Sequence, residues 1–342
     1  MDHGLRFGIV GTGMIAGVVA TSISKSRLAE LSTVCSRKLE TAQAFAAERP
    51  GVATVEGVEA LLACEDVDAV YVATPTSAKP DIALAAIAAG KHVLVDKPLV
   101  DYGSAKQMTE AAAAKGVLFM DATHFVHHPR TQAVLGAIPG LIGRPRSLHT
   151  AFYFPFTDRG NIRFDPAQEP TGAVGDMAWY SMRAVVEYLQ PQGDLVKVAA
   201  VAERDPETGS VVSVPGMIAF ESGEVSTFSV GYTGGTMIMD LSLLGTAGLL
   251  TMDDFVMDWT DSFAFQNPGI KTGYVHRTGM ATRDDFTFIE TPSSTSADVL
   301  MIDRFAELAT SGDRRAAASF VEASLQTQRY LDAIWEAVRQ HK

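Results

Sequence analysis

The sequence predicts an α/β domain with a parallel, doubly wound sheet, followed by an α+β domain built on a mainly antiparallel sheet. Three observations predict it. A glycine turn, Gly8 to Ala16 (G-I-V-G-T-G-M-I-A), follows an apolar run and precedes a helix-compatible one. Up to about residue 122, runs that are apolar throughout alternate with alanine-rich helical stretches, as in strands buried on both faces. From about residue 144, long alternating segments follow one another without helices between them, as in antiparallel strands with one face in a core.

The strands expected in the first half are Leu5 to Val10, Leu31 to Ser36, Val52 to Val55, Ala69 to Ala73, His92 to Asp96 and Val117 to Asp121. Between them lie helices over Met14 to Ser26, Leu39 to Glu48, Val58 to Ala63, Pro80 to Ala89 and Tyr102 to Lys115. In the second half the strands are Arg146 to Phe156, Val196 to Glu203, Val211 to Phe220, Glu224 to Tyr232 and Met237 to Leu244, with helices over Gly175 to Leu189 and Ala316 to Gln340. A chain of 342 residues exceeds what one core usually covers, and the change of pattern divides it into 1–122 and 123–342.

Composition narrows the function. The chain is 47% hydrophobic and 20% charged, with net charge −12 and no basic stripe, which argues against nucleic-acid or anionic-membrane partners. Two cysteines without a spacing motif, Cys35 and Cys64, read as reduced thiols. The first strand begins within a few residues of the N-terminus, and no apolar stretch reaches bilayer length, so the expected location is cytoplasmic.

Gly11, Gly13 and Ala16 fit the dinucleotide pattern G-x-G-x-x-G/A. The first glycine permits a tight turn, the second lets backbone approach a pyrophosphate, and the small third residue lets helix pack on strand. The helix N-terminus then faces the phosphates, which makes Gly11, Thr12, Gly13, Met14 and Ile15 the phosphate-binding candidates. An NAD site would carry Asp or Glu at the end of the second strand, about 20 residues on. This chain has Ser36, Arg37 and Lys38 there, a hydroxyl and two cations suited to a 2′-phosphate, so the expected cofactor is NADP, with NAD as second choice.

In open α/β sheets, ligands bind beyond the carboxyl ends of the strands. Three segments emerge there: A-T-P-T-S-A-K, with Thr74, Pro75 and Lys79; Asp96, Lys97 and Pro98; and D-A-T-H-F-V-H-H-P-R, with His124 and Phe125. A lysine before a proline at a buried strand end is aimed at the cofactor crevice. In the second half, Asp176, Tyr180 and Arg183 share a face if one helix carries them all. Arg163 either reaches an anionic or hydroxylated substrate or sits in an ordinary ion pair. His124, His127 and His128 have no cysteine at ligand spacing and run into Pro129, so no metal is expected. They read as lining a substrate cleft, with Phe125 near the nicotinamide.

Taken in order, G-x-G-x-x-A, A-T-P-x-x, G-K-H-V-L-V-D-K-P, the D-x-x-x-Y helix and L-L-G-T-A-G-L-L-T-M-D-D-F resemble the glucose-fructose oxidoreductase, inositol dehydrogenase and rhizopine-catabolism family. The resemblance implies a Rossmann domain, an open-faced sheet domain, and hydride transfer between NAD(P) and a hydroxyl or carbonyl of a sugar, cyclitol or related diol. The family's E-K-P lysine corresponds to Lys97, with Asp96 in place of Glu. Tyr180, four residues after Asp176, is similar to the dihydrodiol dehydrogenase and NADP-dependent xylose dehydrogenase branch. Two departures stand out: Thr76 and Lys79 replace the Asn and His of T-P-N-x-x-H, and D-A-T-H-F-V-H-H-P replaces E-A-F-M-W-R-F-H-P. The resemblance further implies a cis bond before Pro98. An apolar open sheet face would favour a homodimer or a dimer of dimers.

Alcohol oxidation needs a base for the hydroxyl proton while hydride leaves the carbon. A free tyrosine, with a pKa of about 10, is a poor one. A lysine ammonium roughly 4 Å away contributes up to about 4 kcal/mol at intermediate dielectric, about 3 pKa units, enough to bring Tyr180 near 7. Tyr180 is then the proton-transfer residue, Lys97 the tuning charge, and Asp176 the group that orients lysine or substrate; Lys97 as the direct acid or base is the competing assignment. The same fold hosts non-catalytic dinucleotide-binding regulators and nicotinamide-dependent glycoside-cleaving enzymes, and retention of both Lys97 and Tyr180 favours an oxidoreductase.

Overall fold

The computed structural model describes residues 4–257, 271–280 and 286–340. Strands β1 (Leu5–Val10), β2 (Ala29–Ser36), β3 (Ala53–Glu56), β4 (Ala69–Val72), β5 (His92–Val95) and β6 (Phe119–Asp121) form one sheet in the order β3-β2-β1-β4-β5-β6. Every neighbouring pair is parallel. The connections carry α1 (Met14–Lys25), α2 (Leu39–Ala46), α3 (Val58–Leu62), α4 (Lys79–Ala88) and α5 (Tyr102–Lys115). Strand β4 is buried at all four positions, as a strand covered on both faces must be. The order reverses at β1, so the β1 and β4 exits form the switch point at which doubly wound sheets bind ligands.

The second sheet follows α6 (Pro129–Leu141). It contains β7 (Pro145–Tyr153), then, after α7 (Ala173–Asp176) and α8 (Ala178–Ala184), β8 (Leu195–Ala200), β9 (Glu203–Arg204), β10 (Val211–Phe220), β11 (Val225–Gly231), β12 (Ile238–Gly245), β13 (Leu249–Met252), β14 (Gly273–Arg277) and β15 (Thr287–Glu290). The order is β15-β14-β13-β12-β7-β11-β10-β8, with β9 beside β10. Among the described strands of this sheet only β7 and β11 pair parallel. Alternation decides its faces. Leu148, Thr150 and Phe152 of β7 are buried, and Thr150 Oγ1 donates to Ser181 Oγ of α8 at 2.9 Å. The other face carries polar pairs, His149 with Thr227 and Tyr153 with Ser229.

The helix expected over Gly175 to Leu189 is interrupted. It runs as α7, a break at Met177, α8 and a π turn over Val185–Leu189. Close docking on β10 accounts for its start: Gly172 has φ +50, and a Cβ there would lie 2.4 Å from the Val211 carbonyl oxygen.

Helices α9 (Ala297–Ser311) and α10 (Arg314–Gln340) complete the described chain. Two compact units result: Met1–His124 with Asp298–Leu325, and Phe125–Ala297 with Gln326–Lys342. Helix α9 joins the first because Met301, Ile302, Phe305 and Leu308, one stripe at helical spacing, enter the same core as Phe7, Ile9, Tyr71 and Leu94. No helix among the described residues is long and apolar enough to cross a membrane.

Candidate active site

The first unit builds a dinucleotide cradle at the β1 exit. Gly11 has φ +111, and any Cβ would meet the Ala73 carbonyl oxygen at 2.6 Å, so this turn admits only glycine. A Cβ on Gly13 would meet nothing within 4 Å, leaving open space for a phosphate. Helix α1 starts at Gly13 without a side-chain cap or an acidic residue in its first turn, so its leading N–H groups and positive end face an anion. Met14 beside it is 63% exposed, whereas Ala16 is buried against the sheet. At the β4 exit, Thr74 Oγ1 is buried with no hydrogen-bond partner among the described residues, and a bound dinucleotide would satisfy it. Arg37 and Lys38 are exposed at the β2 exit beside half-buried Ser36. The donors and the open space fit a phosphorylated dinucleotide. Cys35, just before them, is no nucleophile: burial pushes its thiol up to about 12.

The β5 exit carries Asp96 and Lys97. Asp96 N–H donates to Val72 O at 3.1 Å, which extends the ladder to the edge of the loop, and the Lys97–Pro98 bond is cis as expected. Lys79 departs from its expected place against cofactor. It is 2% exposed, and its ammonium points into the protein, donating to Thr76 Oγ1 at 3.2 Å and to the carbonyl oxygens of Lys97 and Pro98 at 3.0 Å each. Past β6, Asp121 accepts hydrogen bonds from Thr123 N–H and from the hydroxyls of Thr123 and Ser324. His124 follows, buried; burial lowers its pKa to about 4, Lys97 pushes the same way, and Asp298 opposes them. The imidazole is therefore neutral at pH 7.

In the second unit, Tyr180 is buried in an aromatic wall, its ring centroid 5.2 Å from Phe152 and 6.3 Å from Phe125. Phe125 also packs on Tyr188 and Phe255 at 6.4 and 5.8 Å. Asp176 does not share a face with a free Arg183, because Arg183 Nε pairs with Glu187 Oε1 at 2.8 Å. The partner of Asp176 is Arg163: Nε to Oδ2 is 2.5 Å, and Tyr232 OH donates to the same oxygen at 3.3 Å. Of the two roles open to Arg163, the ion pair is therefore the one present. The guanidinium also stacks 4.4 Å over the Phe156 ring. Burial alone would lower the Arg163 pKa, but Asp176 outweighs it and the net shift is upward; burial and then Asp176 raise Tyr232. Tyr232 was absent from the expected site, although parity announces it: it follows Phe228 and Val230 on the inward face of β11. His128 caps α6, its Nδ1 accepting from Arg130 N–H at 3.0 Å.

Residues 5–123 match the family described as an oxidoreductase family with an NAD-binding Rossmann fold, and residues 139–251 match the GFO/IDH/MocA C-terminal domain. The chain belongs to the Gfo/Idh/MocA oxidoreductase family. Among its Gfo/Idh/MocA relatives is the dTDP-3,4-didehydro-2,6-dideoxy-alpha-D-glucose 3-reductase of Actinomadura kijaniata, 34% identical over 66% of this chain and 68% of the relative. Another is an NADP(+) D-xylose 1-dehydrogenase of Haloferax volcanii, 30% identical over 64% and 67%. The crystal structure of a 3-ketoreductase from Actinomadura kijaniata in complex with NADP and TDP-benzene matches with a TM-score of 0.86 at 26% identity, covering 98% of both chains. Its solved forms include a tyrosine-to-phenylalanine and a lysine-to-alanine variant. As a Gfo/Idh/MocA protein, the chain is an NAD(P)-dependent oxidoreductase.

Proposed function

We propose that this chain is an NADP(H)-dependent oxidoreductase acting on a hydroxyl or carbonyl of a sugar, cyclitol or related diol. The observation that carries the cofactor reading is the cradle: an uncapped helix start, open space at Gly13, the orphan Thr74 Oγ1, and two exposed cations where an NAD site would hold a carboxylate. The NADP named with the ketoreductase and xylose dehydrogenase relatives supports it, and their sugar substrates support the substrate class.

Bound NADP(H) supplies or accepts the hydride. Gly11 to Ile15 hold its pyrophosphate, Ser36, Arg37 and Lys38 its 2′-phosphate, and Thr74, Pro75 and Asp96 line its approach. Tyr180 moves the proton at its hydroxyl, giving it to the reacting oxygen in reduction and taking it in oxidation. Lys97 supplies the positive charge that makes the tyrosinate accessible near neutral pH. Asp176, held by Arg163 and Tyr232, orients lysine or substrate, His124 is assigned to the substrate and Phe125 to the nicotinamide. Self-association as a homodimer or a dimer of dimers through the open face of the second sheet belongs to this reading, although the apolar character expected of that face is interrupted by the polar pairs His149–Thr227 and Tyr153–Ser229.

A panel of aldoses, cyclitols and trans-diols with NADP and NAD, followed at the nicotinamide absorbance, tests this reading. Net NADPH formation, or its oxidation by the matching carbonyl compounds, is expected for at least one class. Cleavage of glycosides without net cofactor turnover, or binding without turnover across the panel, would overturn it.

A further inference from the structure

We propose that Lys79 is a positioning residue for Lys97. The inference rests on the assignment of Lys97 to proton transfer and adds how the chain fixes that lysine. Lys79 is the first residue of α4, and it lies on a different strand exit from Lys97. Its ammonium nevertheless reaches across to the carbonyl oxygens of both Lys97 and Pro98, with Thr76 Oγ1 as a third acceptor. An ammonium is a compact donor of three N–H bonds, which matches three oxygens converging on one point; the planar fork of arginine does not. Burying this charge is costly, and such a residue stays buried only when oxygens replace its water. In return, charge-assisted bonds to successive carbonyls fix the peptides that carry Lys97. The side chain of Lys97 then departs from a backbone that cannot drift.

The geometry also explains a departure in the sequence. A histidine at position 79 has one donor free at most in its neutral form and a shorter reach, so the loop of this chain is held by a device that depends on lysine.

Lys79→Met keeps the length of the arm and removes all three donors. Turnover is expected to fall roughly 10- to 100-fold, as when a reacting group is misplaced by about 1 Å. The Kd for NADPH, read by fluorescence, is expected to stay within about threefold, because the ammonium faces protein and not cofactor. The decisive comparison is a double-mutant cycle in single-turnover assays. In a Lys97→Met background, Lys79→Met should cost nothing further, since nothing remains to be positioned. An equal loss in both backgrounds, wild-type turnover of Lys79→Met, or a loss of NADPH affinity matching the loss of turnover would each overturn the proposal. If Lys79→Met does not fold, Lys79→Gln, with two donors on a shorter arm, carries the same cycle. Wild-type turnover of Lys97→Met would instead remove the underlying assignment. An inactive Lys97→Met beside an unimpaired Lys79→Met would remove this inference alone.

Discussion

Arg163 and Asp176, thirteen residues apart, meet at 2.5 Å, and the hydroxyl of Tyr232 closes on the same carboxylate oxygen. The ion pair joins two residues that the sequence offers as separate substrate contacts. Removing Arg163 takes the cation away from a carboxylate whose side chain is 11% exposed. Arg163→Met is therefore expected to cost about 2 to 3 kcal/mol in urea unfolding, and the double replacement with Asp176→Leu to recover at least half of that. Additive losses in the double variant would show that the pair is not coupled.

Cofactor choice should reside in two exposed side chains. Arg37 and Lys38 stand exposed at the β2 exit, where the proposed reading puts the 2′-phosphate. A hydrogen bond to a charged group contributes about 1.5 to 3 kcal/mol, so Arg37→Ala should weaken NADPH binding roughly 10- to 100-fold while NADH binding changes little. Ser36→Asp should push further by repelling the phosphate. Parallel fluorescence titrations with both cofactors check the prediction, and equal effects on the two would refute it.

What could be read from the chain followed the distance over which each feature is specified. The β1 turn was legible because its strand, glycines and helix are contiguous, and φ +111 at Gly11 is a local demand. The place of Lys97 at a strand exit was legible because a buried strand ends at Val95, just before the Asp96–Lys97 pair. Lys79 was not: sequence marks it as leaving a strand, but not that its ammonium turns inward to carbonyls 18 and 19 residues away. The stripe Met301, Ile302, Phe305 and Leu308 announces a buried helix face without naming the surface that covers it. The contact of Phe305 with Phe7, centroids 5.4 Å apart, is what returns α9 to the first sheet. Arg183 reads from sequence only as sharing a face with Asp176 and Tyr180, whereas its ion pair with Glu187, at i+4 on the same helical run, follows from helix geometry.

His124 should leave a signature in stability against pH. Its folded pKa of about 4 lies below the unfolded value of about 6.5, so between those values the unfolded chain binds more protons. The contribution is full above pH about 6.5 and is lost as pH falls toward 4, by up to about 3 kcal/mol. His124→Asn cannot protonate. The difference in unfolding free energy between wild type and variant should therefore shift by that order between pH 7 and 4.5, and stay flat from 7 to 8. A constant difference across the whole range would show that the buried imidazole is not the group responsible.

Tyr180 offers the cleanest separation of chemistry from structure, because its ring and its hydroxyl have different work. The ring fills the wall made with Phe152 and Phe125, and phenylalanine fills the same volume. The hydroxyl is the part assigned to proton transfer. Tyr180→Phe is accordingly expected to keep its thermal midpoint within a few degrees and its NADPH affinity within about threefold, while kcat falls roughly 10²- to 10⁴-fold, the range for loss of a positioned acid or base. If turnover falls only together with stability, the ring and not the hydroxyl matters. If kcat is unchanged in a well-folded variant, the proton passes through another group, and Lys97 becomes the one to test.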